Sequence, residues 1–580
     1  MSPQMLFPAP RSISRLTGAA VAASAAVVAR PVSGLAPQGY RLRLEGDAID
    51  LGYADEAGRR YGEATLAQLR AAHPTGIPAQ SIEDWPDFPV RGLMLDISRD
   101  RVPTRQTLER LVELMALCRI NHFELYTEHT FAYRDHAAVW RDASPITAED
   151  LEWLDQLCAE RGIELSANQN CFGHMERWLR HPEYRERAEC PAGWVSKLGG
   201  TMPPAVLAPS AANAELALAL IRELASHLRS RRVNIGCDET FELGKGASAA
   251  AVEQHGRARV YFDHLLRLIE PLRSDGFEVM FWGDILRSHP ELVAELPRDR
   301  LIALVWHYEA PIDPEAMPPV LLQIGAEFGI TSDALRGFAG QIDSFAGVPH
   351  WVCPGTSSWN SFVGRLANAK ANMLDAATHG LRSGARGYMI TDWGDNGHLQ
   401  PPSISFAPLA YGAAISWCLD SNRDLPVAQV IDRYIFQDRA GELGAAIESI
   451  GDVYAHTGKV GFNGSPLFTA VVRRGVLGAL GVADAGAVEQ VLSTLAQASA
   501  RVARSQPQCH DRAVVRRELQ QAIALARHGA WQLARECGAP APSEAELQQD
   551  LARLIEEQRQ CWLLRSRPGG LEDSLARLRP

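Results

Sequence analysis

Two adjacent carboxylates, Asp238 and Glu239, lie near the end of the segment 232–240, whose sequence is Arg-Val-Asn-Ile-Gly-Cys-Asp-Glu-Thr. Neighbouring acids repel each other, so such a pair brings no advantage to an ordinary strand end. Two carboxylates that face one cleft push their pKa values apart, which lets one stay protonated while the other is ionised. Glycoside hydrolysis needs an acid pair divided in this way. The structural alternative is that one acid caps the following helix and the other is solvated.

Eight short apolar segments rich in Val, Ile, Leu and Phe follow residue 85, and amphipathic helical patterns separate them. The helical patterns include 104–120, 147–163 and 212–230, and the first two begin with a threonine in the capping position. Eight strand–helix units over about 320 residues fit a parallel (β/α)8 TIM barrel better than an open doubly wound sheet. The eight predicted strands are 92–98, 122–127, 163–169, 232–238, 278–284, 301–307, 350–356 and 386–393.

Polar side chains and tryptophans cluster at the ends of these predicted strands. Barrel enzymes carry their active sites at the C-terminal ends of the strands, so these side chains are expected to share one rim. Indoles stack on the apolar faces of sugar rings, and acids and amides bind sugar hydroxyls, so the rim predicts a carbohydrate site. Its members are Asp96, Arg99, Glu128, Asn170, His174, Asp238, Glu239, Trp282, Asp284, Trp306, His307, Tyr308, Trp359, Asn360, Asp392 and Trp393.

The regions on either side of the barrel have different patterns. Residues 1–85 are predicted to form a small α/β domain, with a hairpin at Gly-Asp (46–47) and a helix further along. Residues 86–418 hold the barrel. Residues 419–580 show helical patterns without strand patterns, and we expect a helical C-terminal region. It would pack on the barrel or on a second subunit, and a homodimer is therefore possible.

The composition is that of a globular chain of 580 residues with a net charge of −11. No basic stripe accumulates, so a nucleic-acid partner is not expected. The ten cysteines are scattered without a CxxC pair, which favours free thiols and a cytoplasmic location. The apolar segment 19–29 leaves open that residues 1–33 act as a signal for periplasmic or secreted export. That segment is too short to span a bilayer, and no membrane partner is expected.

The segment Val-Asn-Ile-Gly-Cys-Asp-Glu-Thr (233–240) resembles the signature of glycoside hydrolase family 20, the β-N-acetylhexosaminidases. Further segments are similar to the same family: Pro-Ala-Pro-Arg-Ser (8–12) and residues 39–69 to its small N-terminal domain, residues 82–100 to the entry into its barrel, and residues 168–175 to its third strand end. The resemblance covers about residues 5–400, and the C-terminal 160 residues resemble nothing in the core family.

The resemblance implies an exo-acting β-N-acetylhexosaminidase that retains configuration by a substrate-assisted mechanism, without a cofactor or a metal. Its substrate would be a terminal β-linked GlcNAc or GalNAc of an oligosaccharide or glycoconjugate. Glu239 would protonate the glycosidic oxygen and later deprotonate water. Asp238 would hold and polarise the substrate's 2-acetamido group, whose oxygen attacks the anomeric carbon to form an oxazolinium ion.

The resemblance also implies roles for other residues, each with a structural alternative. Arg91 would bind the hydroxyls of the non-reducing sugar, or form a surface salt bridge. His174 would orient the acids. The remaining residues would contact the acetamide, the sugar face or the hydroxyls, where the alternatives are core packing for the tryptophans and helix capping for the acids. They are Glu128, Trp282, Asp284, Trp306, Tyr308, Trp359, Asp392 and Trp393.

One position departs from the family pattern. Asn170 occupies a position where aspartate is usual, and a neutral amide cannot relay a proton to Glu239. Two other functions differ in class from hydrolysis by an acid pair. A metal-dependent barrel hydrolase would need clustered histidines such as HxH at the first strand end, and residues 95–100 contain none. The other alternative is a non-catalytic or altered-specificity carbohydrate-binding relative of the family, against which the presence of both Asp238 and Glu239 argues.

Overall fold

The computed structural model describes residues 5–196, 200–317 and 335–579, together with positions 319, 322 and 323. Its strands belong to three sheets, and eight of them form a closed barrel. The strands are β1 (Ser12–Arg15), β2 (Val27–Pro31), β3 (Tyr40–Glu45), β4 (Ala48–Tyr53), β5 (Gln80–Asp84), β6 (Val90–Asp96), β7 (His122–Tyr126), β8 (Glu164–Asn168), β9 (Trp194–Val195), β10 (Thr201–Met202), β11 (Arg232–Asn234), β12 (Glu278–Trp282), β13 (Leu301–Trp306), β14 (His350–Cys353) and β15 (Gly387–Asp392).

The barrel order is β6, β7, β8, β11, β12, β13, β14 and β15, and β15 pairs back to β6 with all neighbours parallel. Every one of the eight predicted strand segments overlaps a barrel strand, which confirms the (β/α)8 prediction. The main helices of the barrel layer are Arg105–Leu117, Ala148–Glu160, Ala211–Ala225, Arg257–Ser274, Pro290–Glu295, Ala339–Ile342, Leu366–Ser383 and Pro402–Trp417.

Helix starts follow the capping chemistry expected from the sequence. The Thr104 side chain accepts a hydrogen bond from the Thr107 N–H. Thr147 and Asp150 form a complete capping box, in which each side chain accepts from the other residue's N–H. These caps satisfy N–H groups that have no partner within the helix, and so they fix where the helix layer begins.

Large apolar side chains fill the barrel interior, which is therefore a packed core with its binding site above it. The interior cluster is Met94, Tyr126, Met280, Trp282, Ile302, Leu304, Trp351, Cys353, Trp359, Met389 and Trp393. A buried carboxylate, Glu124, also lies inside the barrel and accepts hydrogen bonds from Asn168 at 2.7 Å and Asn234 at 2.9 Å. Asn234, within the 233–240 signature, thus has a structural partner below the site.

The small domain is a five-stranded sheet in the order β1, β5, β3, β4, β2, with the helix Glu56–Ala72 against it. Glu45 pairs with Ala48, which leaves Gly46 and Asp47 as the two-residue hairpin turn that was predicted. The apolar segment 19–29 is built into this domain. Val21 exchanges backbone hydrogen bonds with Ile77, and the end of the segment forms the first residues of β2.

The C-terminal region packs on the barrel. Its helices are Leu419–Asn422, Val427–Val430, Leu443–Gly451, Pro466–Val472, Ala485–Arg504, Arg512–Cys537, Glu544–Leu563 and Leu571–Ala576. Ser566 accepts a hydrogen bond from the barrel residue Arg101 at 2.9 Å, and Ser574 donates to the Gly397 carbonyl. None of the helices in the described ranges combines the length and the apolar composition needed to cross a bilayer.

Candidate active site

Asp238 and Glu239 follow β11 on a segment with unusual backbone geometry. Gly236, Cys237 and Glu239 have φ angles of 67°, 72° and 50°, in the left-handed region that non-glycine residues rarely adopt. A Cβ at position 236 would lie 2.5 Å from the Asn170 side chain, so glycine is required there. The Tyr261 hydroxyl donates to the Cys237 carbonyl at 2.9 Å, and the Cys237 N–H donates to Asn170 Oδ1 at 3.1 Å. These bonds hold the strained segment in place.

The imidazole of His174 joins the two carboxylates. Its Nε2 lies 3.2 Å from Asp238 Oδ2 and 3.3 Å from Glu239 Oε2. Burial disfavours the imidazolium, but the charge of Asp238 and the hydrogen bonds to both acids prevail and raise the pKa of His174 well above its usual value. The adjacent acids therefore share one cationic donor and point into the same cleft.

The environment keeps Asp238 ionised. Burial opposes ionisation, but the His174 charge and the Asn170 amide lower the pKa of Asp238 below its ordinary value. Asn170 Nδ2 donates to Asp238 Oδ1 at 2.7 Å and to the Tyr126 hydroxyl at 3.2 Å. Glu239 is more open to solvent, with a side chain 35% exposed against 9% for Asp238. An ionised, fixed acid thus stands beside a more accessible one.

A third carboxylate, Asp284, lies behind the pair. Its Oδ2 accepts the Glu239 N–H at 3.2 Å, and its buried Oδ1 has no hydrogen-bond partner among the described residues. Burial, reinforced by the charge of Asp238, raises the pKa of Asp284 to about 7. Asp284 holds the Glu239 backbone and is poised to carry a proton near neutral pH.

Aromatic side chains line a cavity of about 410 Å³ over these acids. Trp306 and Tyr308 stack with ring centroids 5.0 Å apart, and Trp359 meets Tyr308 edge-on at 5.1 Å. The Trp393 indole N–H donates to the Tyr308 hydroxyl oxygen at 2.8 Å, and the same hydroxyl also forms a hydrogen bond with the Thr391 side chain. With Trp282, these rings form the apolar and hydrogen-bonding surface that a sugar ring requires.

Arg99 forms the cationic side of the cavity. Its Nη1 lies 3.1 Å from Glu128 Oε1 and 3.4 Å from Asp96 Oδ2, and its Nη2 lies 3.4 Å from His174 Nδ1. Asp395 also lines the cavity, and burial raises its pKa to about 6 although Arg99 opposes the shift. A fixed guanidinium and a partly protonated carboxyl can donate to, and accept from, sugar hydroxyls.

The C-terminal region completes the wall of the cavity. Asn463 N–H donates to Glu309 Oε1 at 2.9 Å, and its side-chain oxygen accepts the Trp359 indole N–H at 2.9 Å. This loop brings a set of C-terminal side chains to the cavity. The set is Phe462, Asn463, Gly464, Thr469, Arg473, Val476, Ala479 and Leu480.

Eight of the predicted site residues line this cavity, and three others support it from behind. The lining residues are His174, Asp238, Glu239, Trp282, Trp306, Tyr308, Trp359 and Trp393. Glu128, Asn170 and Asp284 do not line the cavity: they contact Arg99, Asp238 and the Glu239 backbone respectively. Their expected contact with a substrate is corrected to a positioning role, because each is one side chain removed from the open space.

The expectation that Arg91 binds a sugar is wrong. Arg91 is the second residue of β6, at the end of the barrel opposite the cavity, and is 1% exposed. Its guanidinium donates to the Arg119 carbonyl at 2.9 Å, the Phe88 carbonyl at 2.8 Å and the Tyr61 hydroxyl at 2.8 Å. Burial lowers the pKa of Arg91, and its guanidinium forms no salt bridge with any residue in the described ranges, which also rules out the surface salt bridge considered as the alternative. The side chain joins the barrel to the small domain.

The expectation that Asp392 binds a sugar hydroxyl is also wrong. Its Oδ1 accepts hydrogen bonds from the Thr356 hydroxyl at 2.6 Å and the Ser405 hydroxyl at 3.0 Å. Asp392 lies on the same side of β15 as Tyr388 and Ile390, which pack toward the helices, whereas Met389 and Trp393 belong to the barrel interior. The alternation of a strand thus directs Asp392 away from the cavity.

Arg99 and His307 were placed on the rim without a role, and both line the cavity, whereas Asp395 and the C-terminal wall were not predicted. Arg99 had a usable signal, since it follows the C-terminal end of a barrel strand and is therefore on the rim. Asp395 lies three residues past a strand end, within the loop where barrel sites are built. The wall residues had no local signal, because their place depends on how the C-terminal helices dock.

The cluster could also hold a cation. One nitrogen of His174 and one oxygen each of Asp238 and Glu239 lie within 4.8 Å of one another. Within the described residues, these three form the one cluster of His, Cys, Asp or Glu side chains close enough to share a metal ion. The raised pKa of His174 works against metal binding, because its imidazole must lose a proton before it can be a ligand. The arrangement suits proton transfer better.

Two family models match the chain. The model described as "Glycosyl hydrolase family 20, catalytic domain" matches residues 88–317, and "Glycosyl hydrolase family 20, domain 2" matches residues 11–85. The Beta-hexosaminidase of Akkermansia muciniphila is 32% identical over 168 residues, which cover 25% of this chain and 34% of that relative. Hexosaminidase D of Homo sapiens is 24% identical over 39% of this chain and 46% of its own length. The chain therefore spans less than half of each of these curated relatives.

A solved structure shares the fold. It is that of an exo β-N-acetylglucosaminidase of Vibrio harveyi, in a variant described as inactive, with a TM-score of 0.56 and 16% identity over 77% of this chain and 78% of that one. At this identity the likeness concerns the fold alone.

Proposed function

The chain belongs to glycosyl hydrolase family 20, and from that premise we propose that it is an exo-acting β-N-acetylhexosaminidase that removes terminal β-linked GlcNAc or GalNAc from oligosaccharides or glycoconjugates. The observation that carries the proposal is the Asp238–His174–Glu239 cluster at the base of an aromatic cavity. A cavity of about 410 Å³ above the packed barrel interior has room for about one sugar ring and leaves the next at the mouth, which suits release of single terminal residues.

The terminal sugar is bound by its hydroxyls and its face. Arg99 donates to vicinal hydroxyls in the planar two-pronged geometry of a guanidinium, and Asp395 accepts from or donates to a third. Trp393 and Trp282 offer ring faces to the apolar side of the sugar. Since Arg99 is held by Asp96 and Glu128, binding needs little reorganisation.

The substrate's own acetamide is the nucleophile in this proposal. Asp238, kept ionised by His174 and Asn170, accepts the acetamide N–H and raises the electron density on the amide oxygen. Tyr308 turns its O–H hydrogen toward that oxygen, while its hydroxyl oxygen accepts from Trp393. Burial raises the pKa of Tyr308 well above its usual value, so the phenol remains a donor.

The first step forms one bond and breaks another. The acetamide oxygen bonds to the anomeric carbon as the glycosidic C–O bond breaks, and Glu239 transfers its proton to the departing oxygen. The product is an oxazolinium ion, whose positive charge faces Asp238. In the second step water attacks the anomeric carbon, Glu239 takes a proton from that water, and the ring reopens to the acetamide. Two inversions at one carbon give net retention.

The closeness of the two acids supports this division of labour. Both contact the same His174 nitrogen, and their nearest oxygens lie within 4.8 Å. In enzymes with a protein nucleophile and in inverting enzymes, the two carboxyl groups instead flank the scissile bond, one on each side. Adjacent residues on one turn approach from a single side, which suits an acid and an acetamide partner.

The test is hydrolysis of 4-nitrophenyl N-acetyl-β-D-glucosaminide together with a series of its mono-, di- and trifluoroacetyl analogues. Fluorine withdraws electrons from the acetamide oxygen, so kcat/KM should fall steeply along the series. Glu239→Gln should lower kcat/KM on a GlcNAc disaccharide about 10²–10⁴-fold, whereas Glu270→Gln, which removes an exposed surface carboxylate, should leave it unchanged. A flat fluorine series with intact activity would rule out assistance by the substrate.

We also propose a cytoplasmic location, with export as the alternative. Nine of the ten cysteines are buried and all are free, which suits a reducing compartment. Fractionation of cells with an antibody to the chain tests this: recovery in the periplasm or medium would contradict it. A homodimer remains a prediction, which sedimentation equilibrium tests.

A further inference from the structure

We propose that residues 461–480 form a subsite for the leaving group, and that Arg473 gives this subsite a preference for a sugar that carries a carboxylate. The inference rests on the proposed exo-glycosidase function and adds to it the chemical class of the leaving group. It concerns a part of the chain beyond residue 317, where the family's catalytic-domain match ends.

The first part of the argument is that this segment is fixed to the barrel. Glu309 forms a buried ion pair with Arg365, with Oε2 and Nη1 3.0 Å apart. The same carboxylate accepts the Asn463 N–H at 2.9 Å, and Asn360 Nδ2 donates to the Asn463 carbonyl at 2.9 Å. Asn463 has a φ of 44°, which turns the chain toward the cavity. A wall held by three barrel residues can discriminate between ligands.

The second part is its position. The terminal sugar occupies the cavity floor beside Arg99 and Asp395, so the group attached to its anomeric carbon extends past Glu239 to the mouth. Glu239 is the more exposed acid of the pair. Arg473 and Val476 line the cavity and are themselves exposed, Val476 by 42%, so they border its mouth.

The third part is charge. Within the described residues, the Arg473 side chain has neither a carboxylate nor a carbonyl partner, whereas the other guanidinium on this side, Arg287, donates to Gln341 at 2.6 Å. The cavity also holds the acids Asp238, Glu239 and Asp395 and the cations Arg99 and His174. Arg99 and His174 already contact carboxylates on the cavity floor, so their charges do not offset the acids at the mouth. These acids would repel an anionic leaving group unless a cation offset them. Arg473 is that cation, and it stands where the leaving group lies.

The fourth part is the surface around it. Phe462, Val476 and Leu480 give the wall an apolar face, and Phe241 lines the same cavity. An apolar face next to an unpaired guanidinium matches a pyranose ring with one carboxylate, because the ring's C–H face packs on the former and the carboxylate accepts two hydrogen bonds from the latter. Two classes of sugar offer this: a uronic acid, and an amino sugar with a lactyl ether.

The experiment compares disaccharides that differ by one acidic group. In the first arm, GlcNAc-β-1,4-glucuronic acid is set against GlcNAc-β-1,4-glucose. In the second, GlcNAc-β-1,4-N-acetylmuramic acid is set against GlcNAc-β-1,4-GlcNAc. At low salt we expect the acidic member of at least one pair to have the higher kcat/KM, by on the order of fivefold, as for one partly exposed charged contact. The arm that shows the preference identifies the source of the carboxylate. Sodium chloride at about 0.5 M should bring the acidic-to-neutral ratio of kcat/KM closer to one, because salt screens exposed charges.

Three variants complete the test. Arg473→Gln should bring the acidic-to-neutral ratio to about one, and Arg473→Glu should invert it. Arg474→Gln is the matched control: this neighbouring arginine donates to the Ala470 carbonyl and does not line the cavity, so the ratio should stay that of the wild type.

A wild-type ratio of one or less in both arms overturns the inference, as does a preference that survives Arg473→Gln. If the nitrophenyl β-GlcNAc itself is not cleaved, the proposed function fails and this inference with it; cleavage of that substrate with no acidic preference overturns this inference alone.

Discussion

Arg91 and Arg99 lie at opposite ends of strand β6, and the two ends surround a guanidinium in different ways. At the N-terminal end, Arg91 donates to main-chain carbonyls and a tyrosine hydroxyl of the small domain, with 1% of its surface exposed. At the C-terminal end, Arg99 is held by two carboxylates while 20% of its side chain remains open to the cavity.

The same contrast applies to carboxylates at the two ends. Asp84, beneath the barrel, accepts hydrogen bonds from Arg119 at 2.7 Å and from Trp417 at 2.9 Å, and it is fully satisfied. Asp284, at the C-terminal end of the barrel, has one buried carboxylate oxygen without a hydrogen-bond partner among the described residues. The N-terminal end is therefore built for stability, whereas the C-terminal end tolerates a less well satisfied carboxylate directly behind the cavity, as expected where barrels carry their sites.

Replacement of Arg99 by lysine should give the largest effect. A lysine cannot contact Asp96, Glu128 and a sugar at once, so about one to two charge-assisted hydrogen bonds to the substrate are lost, and kcat/KM should fall on the order of 10²-fold. Steady-state hydrolysis of the nitrophenyl substrate measures this. Unchanged kinetics would remove Arg99 from the site.

The matched change at the other end, Arg91→Lys, should act on stability. It leaves buried carbonyls without donors, so the free energy of unfolding should fall by about 2–3 kcal/mol. The kcat/KM of folded protein at 20 °C should stay within about twofold of the wild type. Urea unfolding and kinetics on one preparation test both parts, and a larger loss of kcat/KM than of stability would reverse the comparison between the two ends.

Asp284 should make stability depend on pH. Burial raises its pKa to about 7, whereas an unfolded aspartate titrates near 3.9. The folded chain thus holds this proton more tightly, so the contribution of Asp284 to stability is complete below about pH 4 and is lost as pH rises to 7. Asp284→Asn still accepts the Glu239 N–H and does not ionise. Its Tm relative to the wild type should rise between pH 5 and pH 8.5; a constant difference would contradict the shift.

Asn170→Asp should have the smallest effect. The amide now stabilises ionised Asp238 without adding charge, and a carboxyl there would share a proton with it. The acidic limb of the kcat/KM profile should move up by about one pH unit, with less than a tenfold change at the plateau. A profile with no shift would mean that residue 170 does not influence the titration of Asp238.

The sequence predicted the barrel and the acid pair because both leave local patterns. Each barrel strand is a short apolar run between helical periods, and Asp238 and Glu239 end one of them. Alternation within β15 could have excluded Asp392, since Tyr388 and Ile390 on the same side are apolar and pack outward. The error at Arg91 came from the family resemblance, which placed the sugar-binding arginine at the start of the first barrel strand, whereas Arg99 follows the C-terminal end of that strand and lines the cavity.

The remaining parts of the site depend on contacts between residues far apart in the chain. No local sequence pattern marks Phe462 and Arg473 as cavity residues, because the docking of the C-terminal helices determines whether these side chains reach the cavity. The support from Asp284 likewise depends on where the loop after β12 meets the loop after β11. Such contacts are absent from any window of neighbouring residues.

The late position of the last C-terminal helix, which contacts the loops at the upper end of the barrel, has a consequence for biosynthesis. Ser574 holds Gly397, in the loop of Asp395, and Arg177 bridges Asp100 to Asp573. A ribosome that has completed β15 must still add about 180 residues before these contacts exist, which at about 5–20 residues per second takes on the order of ten to forty seconds. Throughout that interval the barrel's upper end is unsealed. The contacts that fix the loops of Asp100 and Asp395 therefore form only after translation has passed these residues, and a chain that ended before them would lack this support.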